Sequence, residues 1–122
     1  MYRVSVRQHF DAAHYLRDYQ GKCENLHGHR FEVVVSLETE KLDEAGMAFD
    51  FTELKRHMKK ILDRYDHACL NEVEPFVNIN PSSENMAATI YGEMDNLLVD
   101  STVSVVSVEV WESPECCATY AP

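Results

Sequence analysis

The first forty residues contain two segments in which apolar and polar side chains alternate, and this pattern constrains the fold more than any other feature. In residues 2–14 the even positions carry apolar side chains such as Val4, Val6 and Phe10, and residues 26–40 repeat the pattern. Successive side chains of a β-strand point to opposite faces, so each segment is predicted to form a strand with one buried face.

Two helices are predicted in the middle of the chain. Apolar residues recur at helical spacing over residues 54–65, which predicts a first helix. Asp50 precedes this segment and is predicted to cap the helix. Ser82 or Ser83 is predicted to cap a second helix, which begins with an acidic first turn.

Further strands are predicted around these helices. The valine-rich segment 103–112 favours a strand, a short third strand is expected at 47–49, and Tyr120 is assigned to a short final strand. The predicted fold is an α+β domain spanning residues 1–122, in which an antiparallel four-stranded sheet is covered on one face by two helices. Open strand edges are a liability in so small a sheet, so closure by oligomerisation is expected.

The charge balance excludes one broad class of partner. The chain has 11 Lys and Arg against 21 Asp and Glu, which gives a formal net charge of −10 at pH 7. Nucleic acids and anionic membranes bind basic surfaces, so neither is expected as a partner. The sequence also lacks an apolar run typical of a signal peptide or transmembrane helix, which predicts a cytoplasmic protein with reduced cysteines.

Three histidines form the strongest candidate site. His27 and His29 are two positions apart on the second predicted strand, so their side chains leave the same face, and His14 lies on the apolar parity of the first. Three imidazoles around an open coordination position are typical of catalytic zinc, although these ligands alone also suit iron or nickel. The alternative is that each histidine is a core or surface residue.

Cys23 precedes His27 by four residues, and its role stays open on this reasoning. The thiol is a nucleophile or general base beside the metal, the fourth ligand of a closed structural site, or an inert loop residue. The other three cysteines, Cys69, Cys116 and Cys117, have no histidines at ligand spacing and are interpreted as packing residues.

Two further carboxylates are candidates for chemistry. Asp66 and His67 follow the first helix. Either they form a proton relay, or His67 is present only because the helix dipole favours a histidine at the helix C-terminus. Val106, Val108, Val110 and Glu112 share one parity of the valine-rich strand, so Glu112 lies at the end of its apolar face. A buried carboxylate needs partners, such as a planar ligand edge with two N–H donors. If the strand ends at Trp111, however, Glu112 is solvated.

These residues occur in a recognisable order along the chain. The pattern consists of Cys23-Glu24-Asn25-Leu26-His27-Gly28-His29, with His14 before it and Asp66-His67, residues 80–85 and Trp111-Glu112 after it. It resembles the 6-pyruvoyl-tetrahydropterin synthase family, and the resemblance covers nearly the whole chain.

The resemblance implies the tunnel fold of that family, in which small sheets of several subunits join into a barrel, commonly a hexamer with sites at subunit interfaces. It implies Zn²⁺ as the cofactor. The residue roles it implies are His14, His27 and His29 as zinc ligands, Cys23 as catalytic base or nucleophile, Asp66 and His67 as a proton relay, Glu112 as the anchor of the pterin 2-amino and N3 edge, and Ser82, Ser83 and Glu84 as further pterin contacts.

The short step from Cys23 to His27 is most similar to the bacterial branch of the family. That branch implies conversion of 7,8-dihydroneopterin triphosphate to 6-carboxytetrahydropterin, acetaldehyde and triphosphate in queuosine biosynthesis. Candidate contacts for the triphosphate in this acidic chain are Arg17, Lys22 and Arg30. Two alternatives stay open: a pyruvoyl-forming synthase, which retains all three side-chain carbons, and a zinc-stabilised binding module that performs no chemistry.

Overall fold

The structure is a computed structural model that describes residues 1–18 and 25–122. The strands and α-helices of the described residues are β1 (Tyr2–His14), β2 (His27–Thr39), α1 (Phe51–Leu62), β3 (Ala68–Cys69), α2 (Ser83–Leu97), β4 (Ser104–Ser113) and β5 (Cys116–Tyr120), and a short 3-10 helix (Leu70–Glu72) follows β3. The strands form one sheet in the order β3-β1-β2-β4-β5. The α+β prediction is confirmed. The sheet has five strands rather than four, and it is mixed because β3 runs parallel to β1.

The short third strand is not where the sequence predicts it. Residues 47–49 belong to a loop in which the Asp43 carboxylate accepts hydrogen bonds from the backbone N–H groups of Ala45 and Met47, both at 2.9 Å. Gly46 has a φ of +80° in this loop, a conformation that glycine adopts without steric cost. An aspartate side chain that binds nearby backbone N–H groups offers the backbone an alternative to a strand ladder. For this reason residues 47–49 do not form the predicted strand.

The β1–β2 hairpin is the framework of the molecule. Its strands pair over 13 residues each, from Tyr2 opposite Thr39 to His14 opposite His27. The covered face of the sheet carries buried side chains such as Phe10 and is packed against the helices. The open face carries the cross-strand ion pairs Arg3–Glu38, Arg7–Glu32 and Arg30–Asp11.

A β-bulge alters the predicted alternation of β4. Ser36 pairs with Ser107 but Leu37 pairs with Val105, so Val106 is an extra residue. Val105 is therefore buried in the core, whereas the sequence parity placed Val106 there. A bulge depends on pairing with a partner strand, so the alternation of one segment cannot reveal it.

Both helices begin at the predicted caps. The Asp50 carboxylate accepts from the Thr52 N–H at 2.8 Å, and the Ser82 hydroxyl accepts from the Asn85 N–H at 3.1 Å. The buried side chains of α1 are Leu54, Met58, Ile61 and Leu62, and those of α2 are Met86, Ala87, Ile90 and Met94. Tyr65 lies beyond the end of α1 but is buried in the same core. Neither helix combines the length and apolar character needed to cross a lipid bilayer.

Candidate metal and catalytic site

Three histidine side chains meet at the end of the β1–β2 hairpin. His14 pairs with His27 across the strands, and His29 lies two residues further along β2. The ring centroids are 4.5 Å apart for His14 and His27, 4.7 Å for His27 and His29, and 5.6 Å for His14 and His29. The rings of His14 and His29 also contact Phe31 edge-on, which places them on the covered face. The structure thus brings together the three histidines that the sequence singled out.

Backbone carbonyl groups orient two of these rings. The Nδ1–H of His14 donates to the carbonyl oxygen of Pro81 at 2.8 Å, and the Nδ1–H of His27 donates to that of Asn25 at 2.6 Å. A carbonyl oxygen can only accept, so the proton is on Nδ1 in both rings. The Nε2 lone pair of each neutral ring is therefore free for a metal ion, as in other histidine-ligated sites.

Glu112 brings a carboxylate to the same point. Its Oε1 lies 3.0 Å from Nε2 of His14, 3.3 Å from Nε2 of His29 and 3.9 Å from Nε2 of His27. The four candidate ligand atoms all lie within 4.8 Å of one another. Four tetrahedral ligands at zinc bond lengths are about 3.3–3.4 Å apart. The distances from Oε1 to His14 and His29 are close to this spacing, and the distance to His27 is longer.

The electrostatics at His29 favour its neutral imidazole. Burial lowers the pKa of His29, the Glu112 carboxylate opposes that shift, and the His27 and His14 rings reinforce it. Only a deprotonated ring nitrogen can bind a metal, so a lowered pKa keeps His29 in its ligand form.

A second β-bulge positions Glu112. Trp111 pairs with Cys117 and Ser113 pairs with Cys116, so Glu112 is an extra residue of β4 with no partner on β5. Bulges next to functional sites commonly re-aim a side chain. Here the bulge lies at the residue whose carboxylate reaches the histidines.

A cavity of about 420 Å³ adjoins the cluster. Glu112 lines it, together with Ser83 and Glu84 from the first turn of α2 and with residues 116–119. The Ser83 hydroxyl oxygen is buried and has no hydrogen-bond partner among the described residues. The structure therefore brings three of the four predicted pterin contacts together. The hydroxyl of the fourth, Ser82, is engaged as the cap of α2.

Asp66 and His67 form a dyad beside the open face. An Asp66 carboxylate oxygen accepts from the backbone N–H of Asp11 at 2.9 Å, and the backbone N–H of His67 donates to the Asp11 carbonyl oxygen at 2.6 Å. The other Asp66 oxygen lies 3.0 Å from Nδ1 of His67, a distance suited to a carboxylate–imidazole relay. The hydrogen bond from Asp11 lowers the pKa of Asp66, which keeps its carboxylate ionised.

The dyad is separate from the histidine cluster. The possible ligand atoms of Asp66 and His67 group with Asp11, not with His14 or Glu112. The His67 side chain is 80% exposed. It lines a shallow cavity of about 580 Å³ to which the open-face residue Arg30 and one histidine of the cluster, His29, also contribute.

The predicted basic residues differ in availability. The Arg17 guanidinium donates to the carbonyl oxygens of Phe76 at 2.9 Å and Ile79 at 3.3 Å, so it holds a loop in place. Arg30 pairs with Asp11 at 3.0 Å and is 60% exposed. Lys22 and the predicted catalytic residue Cys23 lie outside the described residues.

Two features of the site were missed by sequence reasoning. The first is the approach of Glu112 to the histidines, for which the parity of β4 was a usable signal. The second is the link between Asp11 and the dyad. It consists of hydrogen bonds to backbone groups of a distant segment, and no side-chain pattern reports such bonds.

The covered face, the histidine cluster and the adjoining cavity define a candidate metalloenzyme site. A family model described as 6-pyruvoyl tetrahydropterin synthase matches residues 3–122. The 6-carboxy-5,6,7,8-tetrahydropterin synthase of Rickettsia conorii is 30% identical, with 95% of this chain and 97% of the relative covered. The enzyme of that name from Bacillus subtilis is 30% identical (99% and 86% covered), and that from Synechocystis is 35% identical (91% and 86% covered).

A solved structure supports the same assignment. The 6-pyruvoyl tetrahydropterin synthase of Caenorhabditis elegans superposes with a TM-score of 0.88 at 29% identity, with 99% of this chain and 95% of that chain covered. The chain belongs to the 6-pyruvoyl tetrahydropterin synthase family, which confirms the resemblance predicted from the ordered motifs.

Proposed function

We propose that the protein acts as a zinc-dependent 6-carboxy-5,6,7,8-tetrahydropterin synthase. It converts 7,8-dihydroneopterin triphosphate and water to 6-carboxytetrahydropterin, acetaldehyde and triphosphate, in the cytoplasm and as a step of queuosine biosynthesis. The names of the bacterial relatives support this choice of reaction. The observation that carries the proposal is the convergence of three imidazoles and a carboxylate beside a cavity of small-molecule size.

His14, His27 and His29 would hold the zinc ion, and one close contact supports this. With its Nδ1–H bound to Pro81, a neutral His14 presents a lone pair on Nε2 to the Glu112 oxygen 3.0 Å away. Two acceptors at that distance repel each other unless a proton or a metal ion lies between them. When bound, zinc supplies stabilisation of the negative charge that develops on the side-chain oxygens of the substrate.

The cavity beside Glu112 is the proposed pterin site. A carboxylate can accept two N–H bonds from one planar ligand edge, which matches the 2-amino and N3 groups of a pterin. Ser83 and Glu84 supply further polar contacts from the first turn of α2. Ser82 contributes by capping that helix and so fixing the position of its two neighbours.

Proton transfer is assigned to Cys23, Asp66 and His67. The hydrogen-bonded Asp66 carboxylate orients His67 and favours a proton on its ring. The position of Cys23 in the sequence, four residues before His27, supports its role as the base or nucleophile. Arg30 is the preferred triphosphate contact, because it lines the same cavity as His67 whereas Arg17 is engaged with carbonyl groups.

A complete site then requires a second copy of the chain. The cavity proposed for the pterin is lined by Glu112 and by neither dyad residue, and of the three candidate ligand histidines only His29 lines the cavity beside His67. The dyad of one chain is therefore not expected to act on a pterin bound in the cavity of the same chain. β3 pairs with β1 only at Ala12 and Ala13, which leaves the rest of that edge free among the described residues. We therefore propose a homo-oligomer, a hexamer as in the tunnel fold, in which the dyad of one subunit meets the metal site of another.

The second candidate is a pyruvoyl-forming synthase, which removes triphosphate but keeps the substrate carbon chain. It is favoured by the fit to the enzyme of that name from Caenorhabditis elegans. The two reactions differ in one volatile product, because only the carboxy-forming reaction releases acetaldehyde.

The test is to incubate the zinc-loaded protein with 7,8-dihydroneopterin triphosphate. The pterin is followed by mass spectrometry and the aldehyde by a coupled dehydrogenase. A carboxypterin formed with an equal amount of acetaldehyde is the expected result. A pyruvoyl pterin without acetaldehyde would assign the second reaction, and intact substrate with folded, zinc-loaded protein would contradict both.

A further inference from the structure

Glu112 stands at the boundary between two sites. Its Oε1 lies 3.0–3.9 Å from the three histidine Nε2 atoms, and the same side chain lines the cavity proposed for the pterin. While Oε1 faces the histidines, only Oε2 is left to accept from a donor in the cavity, so a contact of both oxygens with two N–H donors requires the carboxylate to turn away from the cluster.

The geometry on the histidine side is that of a ligand. The distances from Oε1 to the three nitrogen atoms average close to the edge of a tetrahedral zinc site, about 3.3–3.4 Å. The Nδ1–H groups of His14 and His27 are bound to backbone carbonyls, so their Nε2 lone pairs face this oxygen. A cation beside Oε1 would therefore be shared by the carboxylate and these lone pairs.

The geometry of β4 allows the carboxylate to leave. Glu112 is the extra residue of a bulge, so no partner on β5 fixes its backbone. Its side chain is 31% exposed, as is that of His29, whereas that of His14 is 2% exposed and held by Pro81. The three histidines lie at paired positions of β1 and β2, so the glutamate is the one candidate ligand whose backbone lies in a bulge.

We propose that Glu112 is an exchangeable fourth ligand. It closes the metal site while the cavity is empty, and it turns to the N–H donors of a pterin when one enters, which opens a coordination position for the substrate. The metal-ligand part rests on the geometry above, whereas the choice of pterin as the displacing molecule rests on the proposed function. The exchange would prevent the empty enzyme from exposing a reactive open metal site.

Cobalt substitution tests the ligand directly, since the visible spectrum of Co²⁺ reports the number and type of its ligands. We expect the Co²⁺ spectrum of Glu112→Gln to differ from that of the wild type and its zinc affinity, measured by chelator competition, to fall at least about tenfold. Glu112→Asp, which shortens the side chain, should behave similarly. Glu109→Gln on the same strand is the matched control, because Glu109 binds Trp111 and not the histidines.

The exchange is tested by adding 6-methylpterin, which has the donor edge but no side-chain hydroxyls to bind the metal. Binding is followed by fluorescence and the metal by the Co²⁺ spectrum. We expect a spectral change in the wild type and in Glu109→Gln, but not in Glu112→Gln at saturating pterin.

Three outcomes would overturn the proposal. They are an unchanged spectrum and zinc affinity in folded Glu112→Gln, a wild-type spectrum that pterin binding leaves unchanged, and an identical pterin effect in wild type and Glu112→Gln. These readouts need no turnover. A protein that shows the exchange but forms no product would contradict the proposed reaction and leave the exchange standing.

Discussion

The covered and open faces of the sheet are built from the same strands but prepare their functional groups in different ways. On the covered face, the site continues a packed core: Phe31 is fully buried and touches the rings of His14 and His29. On the open face, Arg30 and His67 keep side-chain exposures of 60% and 80%. The covered face holds a prearranged metal geometry, whereas the open face leaves its groups available to another molecule.

Strand alternation is the cause of this separation. Asp11 and Ala12 are neighbours in β1, yet Asp11 pairs with Arg30 on the open face while Ala12 lies opposite His29 on the covered one. The possible ligand atoms of Asp66 and His67 lie within 4.8 Å of that of Asp11, so the dyad lies beside an open-face side chain of β1. Under the proposed function, each chain would carry two half-sites, a metal site on the covered face and a proton-transfer dyad beside the open face.

The largest effect is expected from removing a metal ligand on the covered face. His29→Ala should lower bound zinc to a small fraction and reduce turnover by about a thousandfold or more, since metal stabilisation supplies several kcal/mol. Metal content by mass spectrometry and steady-state kinetics are the measurements. His57→Gln is the control, because His57 lies on α1 beside Glu53. Full zinc content in His29→Ala would contradict the ligand assignment.

Removing the carboxylate of the dyad beside the open face should leave the zinc content unchanged. Asp66→Asn is expected to reduce kcat by about 10²–10⁴-fold, the usual contribution of general acid–base catalysis, with unchanged zinc content. Loss of zinc in this variant would contradict the separation of the two half-sites.

Mixing the two variants tests whether half-sites of different chains combine. Subunits with Asp66→Asn retain an intact metal site, and subunits with His29→Ala retain an intact dyad. If the dyad acts across an interface, unfolding and refolding the two together should restore activity well above that of either variant refolded alone. No recovery in mixed oligomers would show that both half-sites act within one chain.

Core packing on the covered face should dominate stability. Phe31→Ala removes a fully buried ring that stacks on Phe10 at 5.1 Å between centroids. We expect the free energy of unfolding to fall by about 3–5 kcal/mol in urea titrations. A change below 1 kcal/mol would indicate that this face is far less tightly packed than the structure shows.

A smaller effect on the stability of the fold is expected when Asp66 is protonated at low pH. Its pKa is lowered below 3.8 in the folded protein, mainly by the hydrogen bond from the Asp11 N–H. The depressed pKa stabilises the fold at pH values above 3.8, and this stabilisation is lost as pH falls through the folded value. The difference in urea midpoint between wild type and Asp66→Asn should therefore narrow from pH 6 to pH 3. A constant difference would contradict the assigned hydrogen bond.

The smallest effect should come from an exposed ion pair on the open face. Arg3 pairs with Glu38 at 2.7 Å, but the arginine side chain is 62% exposed. Arg3→Gln is expected to change the free energy of unfolding by less than about 1 kcal/mol, the usual value for surface pairs. A larger loss would mean that the open-face pairs act as a coupled network.

Much of the covered face could be predicted from the sequence because its signals are local. Alternation in β1 and β2 indicated which side chains share a face, and this was enough to bring His14, His27 and His29 together. The capping residues Asp50 and Ser82 were readable for the same reason, since a cap depends on the few residues that follow it.

The remainder depends on contacts between distant segments. The bulges at Val106 and Glu112 exist only in relation to partner strands, so the parity of β4 placed Val106 in the core in error. The pairing of Ala68 with Ala12 was likewise invisible to periodicity, because a strand of two residues has no measurable period. The position of Asp66 beside the open face, fixed by a backbone group of Asp11, belongs to the same class of long-range contact.

The arrangement of the β1–β2 hairpin has a consequence for the newly synthesised chain. All three histidines belong to this N-terminal hairpin, whereas Glu112 follows His14 by 98 residues. At translation rates of 5–20 residues per second, Glu112 is added about 5–20 s after His14. An ion captured by the nascent hairpin would cross-link two strands that are only marginally stable alone. If the hairpin binds metal in this way, we expect the supply of metal during synthesis to affect the yield of folded protein as well as its activity.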